Sequence, residues 1–227
     1  MTAKLPWQDK VVLVTGASQG LGKEIARAFA AAGATTIIVA RGQEALDAAA
    51  EELSAKSPHP VTAITADITS DAQVDALFAR VSEQFGRLDV LVNNAGRSAR
   101  KEILATTPDD FRELMELNLF SVVRCTRAAA DMLLKSKGSV INIGSLAAKA
   151  AARYLGAYPA SKFAVAAYSQ QLRLELGEKG LHVLLVCPGP IARDEVRTYG
   201  AEEQSGLPEA ASKLGGGVKA KAIDPAE

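Results

Sequence analysis

Residues 10–22 read KVVLVTGASQGLG and determine the fold of this 227-residue chain. The run Lys10–Val14 is short, β-branched and almost wholly apolar, which is typical of a strand buried on both faces. A glycine turn follows it directly, and a helical pattern then runs from Lys23 to Ala32. Glycines let a backbone approach a pyrophosphate, and a helix N-terminus supplies unpaired N–H groups. The segment therefore predicts a nucleotide site with the spacing G-x-x-x-G-x-G, the alternative being a glycine turn without a ligand.

The second predicted strand, Thr36–Ala40, ends at Arg41 and not at a carboxylate. Dinucleotide-binding folds usually place an Asp or Glu about 20 residues after the glycines, where it binds the adenosine ribose. A planar cation suits a ribose 2′-phosphate, which a carboxylate would repel. The sequence therefore favours NADP(H), with NAD(H) as the alternative if Arg41 is only a solvated residue after a strand.

Strand and helix patterns alternate along the rest of the chain. Predicted strands lie near 10–15, 35–40, 60–66, 88–93, 138–144 and 181–187, and predicted helices near 20–32, 43–56, 71–85, 108–135 and 158–179. The alternation predicts an α/β fold of the Rossmann type, a doubly wound parallel sheet with helices on both faces, in a single domain over residues 1–227. The binding crevice of such a sheet lies at the carboxyl ends of its strands.

The run AYPASK, residues 157–162, places Tyr158 and Lys162 four residues apart. On a helix such residues share a face, so the ammonium lies beside the phenol, and Pro159 fits the first turn. A neighbouring positive charge stabilises a phenolate and brings a tyrosine, whose ordinary pKa is about 10, closer to proton transfer at neutral pH. Taken alone, the pair would be a solvated surface contact.

With these two segments together, the chain resembles the short-chain dehydrogenase/reductase family, and within it the 3-oxoacyl-carrier-protein reductases. The resemblance covers Lys10 to about Ile191. Its further matches follow successive strands and helices: Asp67, Asn93-Asn94-Ala95-Gly96, Asn118, Ser145 and Pro188-Gly189.

The resemblance implies hydride transfer between a nicotinamide cofactor and a ketone or secondary alcohol, with Asn118, Ser145, Tyr158 and Lys162 as the catalytic tetrad. Tyr158 would be the general acid/base, and Ser145 would polarise the carbonyl oxygen. Lys162 would hold the nicotinamide ribose and lower the pKa of the phenol. Asn118 would anchor a water that links Lys162 to solvent.

The resemblance also implies the residues that bind the cofactor. The glycine turn would hold the pyrophosphate, Asp67 and Ile68 would contact adenine, and the Asn-Asn-Ala-Gly turn would brace the sheet and line the adenosine half of the site. The complete expected set is Gly16, Ser18, Gln19, Gly20, Leu21, Gly22, Arg41, Asp67, Ile68, Asn94, Ala95, Gly96, Tyr158, Lys162, Pro188, Gly189 and Ile191.

Each match has a plainer explanation when it is taken singly. Ser145 could cap a turn, Asn118 could be satisfied by backbone, Asp67 could help cap a helix near Ser70, and 94–96 could be only a turn. Three other functions would fit the same fold. The chain could bind or sense a cofactor without turnover, act as a redox-neutral lyase or epimerase, or serve as a structural subunit. The joint order of the motifs favours the oxidoreductase.

The chain departs from the family pattern after Pro188-Gly189. The family usually has a threonine where Arg193 stands, so we expect backbone near Ile191 to hold the nicotinamide and Arg193 to face phosphate or substrate. Residues 193–222 are predicted to form a substrate lid with glycine hinges. Residues 223–227 read as a helix start, which leads us to expect a further helix and a last strand that this sequence lacks.

Composition limits the partners. Lys+Arg and Asp+Glu are equal at 26, so net charge attracts the chain neither to nucleic acid nor to a membrane. The chain shows no signal-peptide pattern, Cys125 and Cys187 read as reduced core residues, and His59 and His182 are too few for a metal site. We expect a cytoplasmic, metal-free protein that acts on a small carbonyl or alcohol.

Two surfaces carry further predictions. The cations Arg97, Arg100 and Lys101 are either a solvated patch or a dock for an anionic carrier. The runs 117–134 and 163–168 are apolar around most of their helical circumference, which indicates burial, either against the sheet or in a homodimer or homotetramer.

Overall fold

A computed structural model describes residues 5–191, together with Leu207 and Asp224. Six strands form one sheet in the order β3-β2-β1-β4-β5-β6, and every neighbouring pair is parallel. The strands are β1 (Val11–Thr15), β2 (Thr35–Ala40), β3 (Thr62–Thr65), β4 (Val90–Asn93), β5 (Ser139–Ile143) and β6 (His182–Val186). Successive strands are added outward from β1 to β3 on one side and from β4 to β6 on the other. The strand order therefore reverses between β1 and β4, and this point is where a doubly wound sheet has its binding crevice. The predicted fold class is confirmed.

Six helices connect the strands: α1 (Gly20–Ala31), α2 (Gln43–Ser54), α3 (Asp71–Phe85), α4 (Pro108–Met115), α5 (Ser121–Ser136) and α6 (Tyr158–Leu176). The helix predicted over 108–135 is present over 108–136, but a π-helical turn, Glu116–Phe120, interrupts its α-helical geometry between α4 and α5. A π turn inserts a residue that apolar periodicity does not reveal, and such turns are frequent at functional sites.

A hydrophobic core covers each face of the sheet, and β1 is therefore buried along its whole length. Leu13 of β1 packs in a cluster with α3 and α5, whereas Val12 and Val14 pack with α1 and α2. This alternation follows from the two-residue period of a strand. Cys125 belongs to the core as predicted, but Cys187 is only half-buried, so the prediction that it is a core residue was wrong.

Three predictions lie outside the described residues, apart from Leu207 and Asp224: the lid at 193–222, the role of Arg193, and the helix start at 223–227. None of the helices in the described part of the chain has the length and apolarity needed to cross a membrane. Within the same part, no three His, Cys, Asp or Glu side chains gather in a way that could hold a metal ion.

Candidate active site

The glycine turn presents an uncapped helix N-terminus at the carboxyl end of β1. Gln19, at the N-cap of α1, makes no side-chain capping bond, and the first turn contains no acidic residue. Gly20 has a φ of 57°, and no atom lies within 4 Å of the position that a Cβ would take there. A Cβ on Gly22 would instead meet the Gly16 carbonyl and the Asn94 amide. The turn is thus closed on its protein side and open on the other, which suits an anion bound by backbone N–H groups.

The Asn-Asn-Ala-Gly turn is bonded to the glycine turn across the crevice. The Asn94 side-chain amide donates to the Thr15 carbonyl at 2.9 Å and to the Gly16 carbonyl at 3.1 Å. The backbone N–H groups of Asn94 and Ala95 each donate to the Thr15 hydroxyl at 3.1 Å. The neighbouring Asn93 donates from its side chain to a buried asparagine of β5. The turn therefore braces β1, β4 and β5 and is more than a change of chain direction.

Arg41 and Asp67 lie within electrostatic range of each other at the edge where the adenosine half was predicted. Hydrogen bonds from the Thr69 hydroxyl and backbone N–H hold the pKa of Asp67 below its usual range, and the charge of Arg41 adds to that effect. Ser70, not Asp67, caps α3 through its side chain. The Ile68 side chain is buried in the core, so its backbone is the group that a ligand could reach.

Tyr158 is the first residue of α6, and Lys162 follows one turn later. The Lys162 Nζ lies 5.9 Å from the centroid of the Tyr158 ring and donates to the carbonyl of Ile143 at 2.8 Å. Lys162 is only 5% exposed. Burial lowers its pKa to about 8, although the nearby Cys187 acts in the opposite direction. The alternative of a solvated surface pair is therefore wrong.

Asn118 lies in the π turn and is fully buried. Its Nδ2 donates to the Arg97 carbonyl and to the Ser161 Oγ, both at 2.9 Å, and its Oδ1 accepts the Arg97 N–H at 2.9 Å. A Cβ on Gly96 would lie 2.9 Å from this Oδ1 and 3.7 Å from Lys162 Nζ. The structure thus brings three predicted residues, Gly96, Asn118 and Lys162, together. The water that Asn118 was expected to anchor remains a prediction.

Ser145 follows β5 and accepts a hydrogen bond from the Ala147 backbone N–H at 3.1 Å. It therefore caps the short 3₁₀ turn Leu146–Ala148, as its plainer explanation required. The backbone N–H of Leu146, the residue between Ser145 and Ala147, donates to the Pro188 carbonyl at 3.0 Å. This bond places Pro188-Gly189 and the segment to Ile191 beside Ser145 at the carboxyl ends of β5 and β6.

The predicted cationic cluster does not form an open basic patch. Arg97 pairs with Glu113, and Lys101 pairs with Asp110, whose pKa the Lys101 bond lowers to about 2. Arg100 is 8% exposed. The three cations instead line a cavity of about 510 Å³ together with both carboxylates, Gly156, Ala157 and residues of the adjoining loop. Since Ala157 directly precedes Tyr158, this cavity adjoins the start of α6.

Sequence reasoning missed Ser161, which links Asn118 to α6. The available signal was its position in AYPASK, three residues after Tyr158 and therefore on a neighbouring part of the helix face. What the sequence did not indicate was the π turn that brings Asn118 to it.

Known proteins resemble this chain throughout the described region. A family model described as short chain dehydrogenase matches residues 10–204. Dehydrogenase/reductase SDR family member 7B of Danio rerio is 41% identical over 188 residues, which cover 80% of this chain and 61% of that protein. The 3-oxoacyl-[acyl-carrier-protein] reductase of Synechocystis sp. is 34% identical over 227 residues, covering 96% of this chain and 90% of that protein. The chain spans about three fifths of the length of the family member 7B proteins.

Two solved structures show the same likeness. A short-chain dehydrogenase from Streptomyces avermitilis has a TM-score of 0.76 and 41% identity, covering 82% of this chain and 68% of that chain. A short chain dehydrogenase from Shigella flexneri, complexed with NADP, has a TM-score of 0.79 and 29% identity, covering 83% of this chain and 80% of that chain.

Proposed function

Because this chain belongs to the short-chain dehydrogenase family, we propose that it is an NADP(H)-dependent oxidoreductase that interconverts a ketone and a secondary alcohol. The observation that carries the proposal is the buried ammonium of Lys162 beside Tyr158, at the same edge of the sheet as the open glycine turn. Burying a cation lowers the free energy of unfolding of the protein, so a purely structural role for Lys162 is a poor explanation.

The proposed chemistry assigns a separate task to each side chain. NADPH, when bound, supplies a hydride to the carbonyl carbon. Tyr158 donates a proton to the carbonyl oxygen, and Ser145 donates a hydrogen bond to that oxygen as negative charge develops on it. Lys162, whose pKa is lowered to about 8, keeps its proton near neutral pH and stabilises the phenolate that Tyr158 leaves behind. Its burial strengthens that stabilisation, because charges interact more strongly where water is excluded.

The residues present fit the cofactor. The uncapped N-terminus of α1 and the open side of Gly20 suit the pyrophosphate. Asp67 and Ile68 would contact adenine, and the backbone around Ile191 would hold the nicotinamide. Arg41 would bind a 2′-phosphate, and the NADP found in the Shigella flexneri relative supports that choice over NAD(H).

The cavity beside the start of α6 is lined by Ala157 but by neither Tyr158 nor Ser145, so we propose that it holds the part of the substrate that is remote from the reacting carbonyl. Its lining is rich in charged groups, which favours a polar carbonyl compound over a steroid or other polycyclic ketone. The resemblance to 3-oxoacyl-carrier-protein reductases makes 3-oxoacyl thioesters a natural test class. The ion pairs of Arg97 and Lys101 count against the idea that these cations form a carrier dock.

We also propose that a second copy of the chain covers one side of α6. Phe163 on α6 and Phe120 on the π turn are each 46% exposed, and Leu174 further along α6 is 73% exposed. Exposed large apolar side chains on adjoining elements are typical of a subunit interface. The free thiols of Cys125 and Cys187 support a reducing compartment such as the cytoplasm.

The test is oxidation of NADPH and of NADH, followed by absorbance, with small ketones, 3-oxoacyl thioesters and quinones. We expect turnover with NADPH that Tyr158→Phe abolishes. Tyr168→Phe is the control, since it removes a phenol hydroxyl from the same helix two to three turns further along. Arg41→Ala should reduce the preference for NADPH over NADH. Turnover that survives in Tyr158→Phe, or a preference for NADH, would contradict the corresponding part of the proposal.

A further inference from the structure

Ser161 forms a buried connection between the π turn and the first turn of α6. Its hydroxyl accepts the Asn118 amide N–H at 2.9 Å and donates to the Tyr158 carbonyl at 2.8 Å. Both Ser161 and Asn118 are fully buried. We propose that Ser161 is a positioning residue that fixes Tyr158 in the orientation needed for proton transfer, an inference that rests on the proposed function.

The start of α6 has no side-chain cap, so few side-chain bonds other than that of Ser161 hold it. Ala157, at the N-cap, offers no side-chain capping bond, and the first turn contains no acidic residue. Pro159 contributes no backbone N–H. The Tyr158 N–H donates to the Leu155 carbonyl at 3.0 Å, so backbone bonds and the bond from Ser161 are what hold this end of the helix. The hydroxyl of Ser161 supplies a bond from the interior of the protein to the peptide that follows Tyr158.

The other end of the connection is rigid. Asn118 is held by both the N–H and the carbonyl of Arg97, and Arg97 directly follows the Asn-Asn-Ala-Gly turn. A continuous series of hydrogen bonds thus runs from that turn through Asn118 and Ser161 to Tyr158. The Asn-Asn-Ala-Gly turn is itself bonded to the glycine turn. The series of hydrogen bonds therefore links the position of Tyr158 to the proposed pyrophosphate site.

Ser169 provides a matched control on the same helix. It is also buried, accepts an asparagine amide N–H (Asn142, 2.9 Å) and donates to a backbone carbonyl of its own helix (Val165, 2.7 Å). Ser161→Ala and Ser169→Ala therefore remove the same kinds of bond at equal burial. They differ in that Ser169 is three turns away from Tyr158.

The experiment compares the two variants with the wild type by thermal unfolding and by the pH profile of kcat at saturating NADPH. We expect similar losses in Tm, a fall in kcat of about tenfold for Ser161→Ala with a displaced pH profile, and a change below about twofold for Ser169→Ala. The charged neighbour of Tyr158, Lys162, and the Cys187 thiol near that lysine are unchanged in both variants. Equal kcat values for the two variants, or an undisplaced profile in Ser161→Ala, would overturn the proposal.

A second readout separates failure of this inference from failure of the proposed function. The ultraviolet titration of the Tyr158 phenol, obtained as the difference between each protein and its Tyr158→Phe counterpart, needs no substrate. Ser161→Ala should displace this titration, whereas Ser169→Ala should not, even if the wild type turns over no ketone. Should Ser161→Ala not fold, Ser161→Cys retains the side-chain volume with a much weaker hydrogen-bonding group and serves in its place. An undisplaced titration in the folded variant would show that Ser161 does not position Tyr158.

Discussion

Replacing Lys162 by methionine should stabilise the cofactor-free protein while abolishing its turnover. The side chain is 5% exposed, and burial lowers its pKa from 10.5 to about 8. The difference between the two values corresponds to about 3 kcal/mol of unfavourable folding free energy. Methionine fills a similar volume without a charge. Loss of the hydrogen bond to Ile143 offsets about 1 kcal/mol, so we expect a net gain of about 2 kcal/mol near neutral pH.

The pH dependence of this gain follows from where the proton resides. Below the folded pKa of about 8, Lys162 is protonated in both the folded and unfolded states, and the full cost of burial is present. Between about 8 and 10.5 the unfolded state holds a proton that the folded state has released, so the free energy of unfolding of the wild type rises with pH. The advantage of Lys162→Met should therefore shrink over that interval, reach zero before its upper end, and become a deficit of about 1 kcal/mol above it, where only the lost hydrogen bond to Ile143 counts.

The assay is urea unfolding of wild type and Lys162→Met at a series of pH values without cofactor. Other titrating groups are common to both proteins, so their contributions cancel in the difference. Lys179→Met, at an exposed position, is the control and should leave the free energy of unfolding nearly unchanged at every pH. If Lys162→Met were less stable near neutral pH, or if its difference from wild type did not vary with pH, the reasoning from burial would be refuted.

Three further substitutions test other parts of the structure. Gly96→Ala would place a Cβ 2.9 Å from the rigidly held Asn118 Oδ1, so kcat/KM should fall by about tenfold or more. Burial acts to raise the pKa of Asp89, but hydrogen bonds from two cations and a backbone N–H hold it below its usual range. Asp89→Asn should therefore lower the free energy of unfolding by about 2 kcal/mol near neutral pH, and urea unfolding should show this loss disappearing as acid protonates the wild-type carboxylate below its ordinary pKa. Phe163→Glu should convert a dimer into monomers in light scattering, and a wild type that is already monomeric would contradict the proposed interface.

Local patterns sufficed for the elements whose shape depends on neighbouring residues in the chain. The strand, glycine turn and helix from Val11 to Ala31 were predicted to within a residue at each end, because apolar runs, glycines and helical periodicity are properties of a short segment. The closeness of Tyr158 and Lys162 was predictable for the same reason, since residues four apart meet on any α-helix. The parallel order of the sheet followed from the alternation of strands and helices.

Contacts between distant segments required the tertiary structure. The sequence did not indicate that carboxylates of α4 would pair with Arg97 and Lys101, because only the fold brings α4 against their loop. It did not place Asn118 in a π turn, since one inserted residue is invisible to apolar periodicity. It could not assign the burial of Lys162, which depends on the strand ends packed over it.

The amino-acid sequence by itself thus determined the fold and the identity of the chemical groups, because both are encoded in local spacing and residue type. The tertiary structure alone decided the environment of those groups: the lowered pKa of Lys162, the hydrogen-bonded series from Asn118 through Ser161 to Tyr158, and the neutralised cations at the cavity. The physical reason is that desolvation and hydrogen bonding depend on which atoms surround a group in space, and the chain order does not record those neighbours.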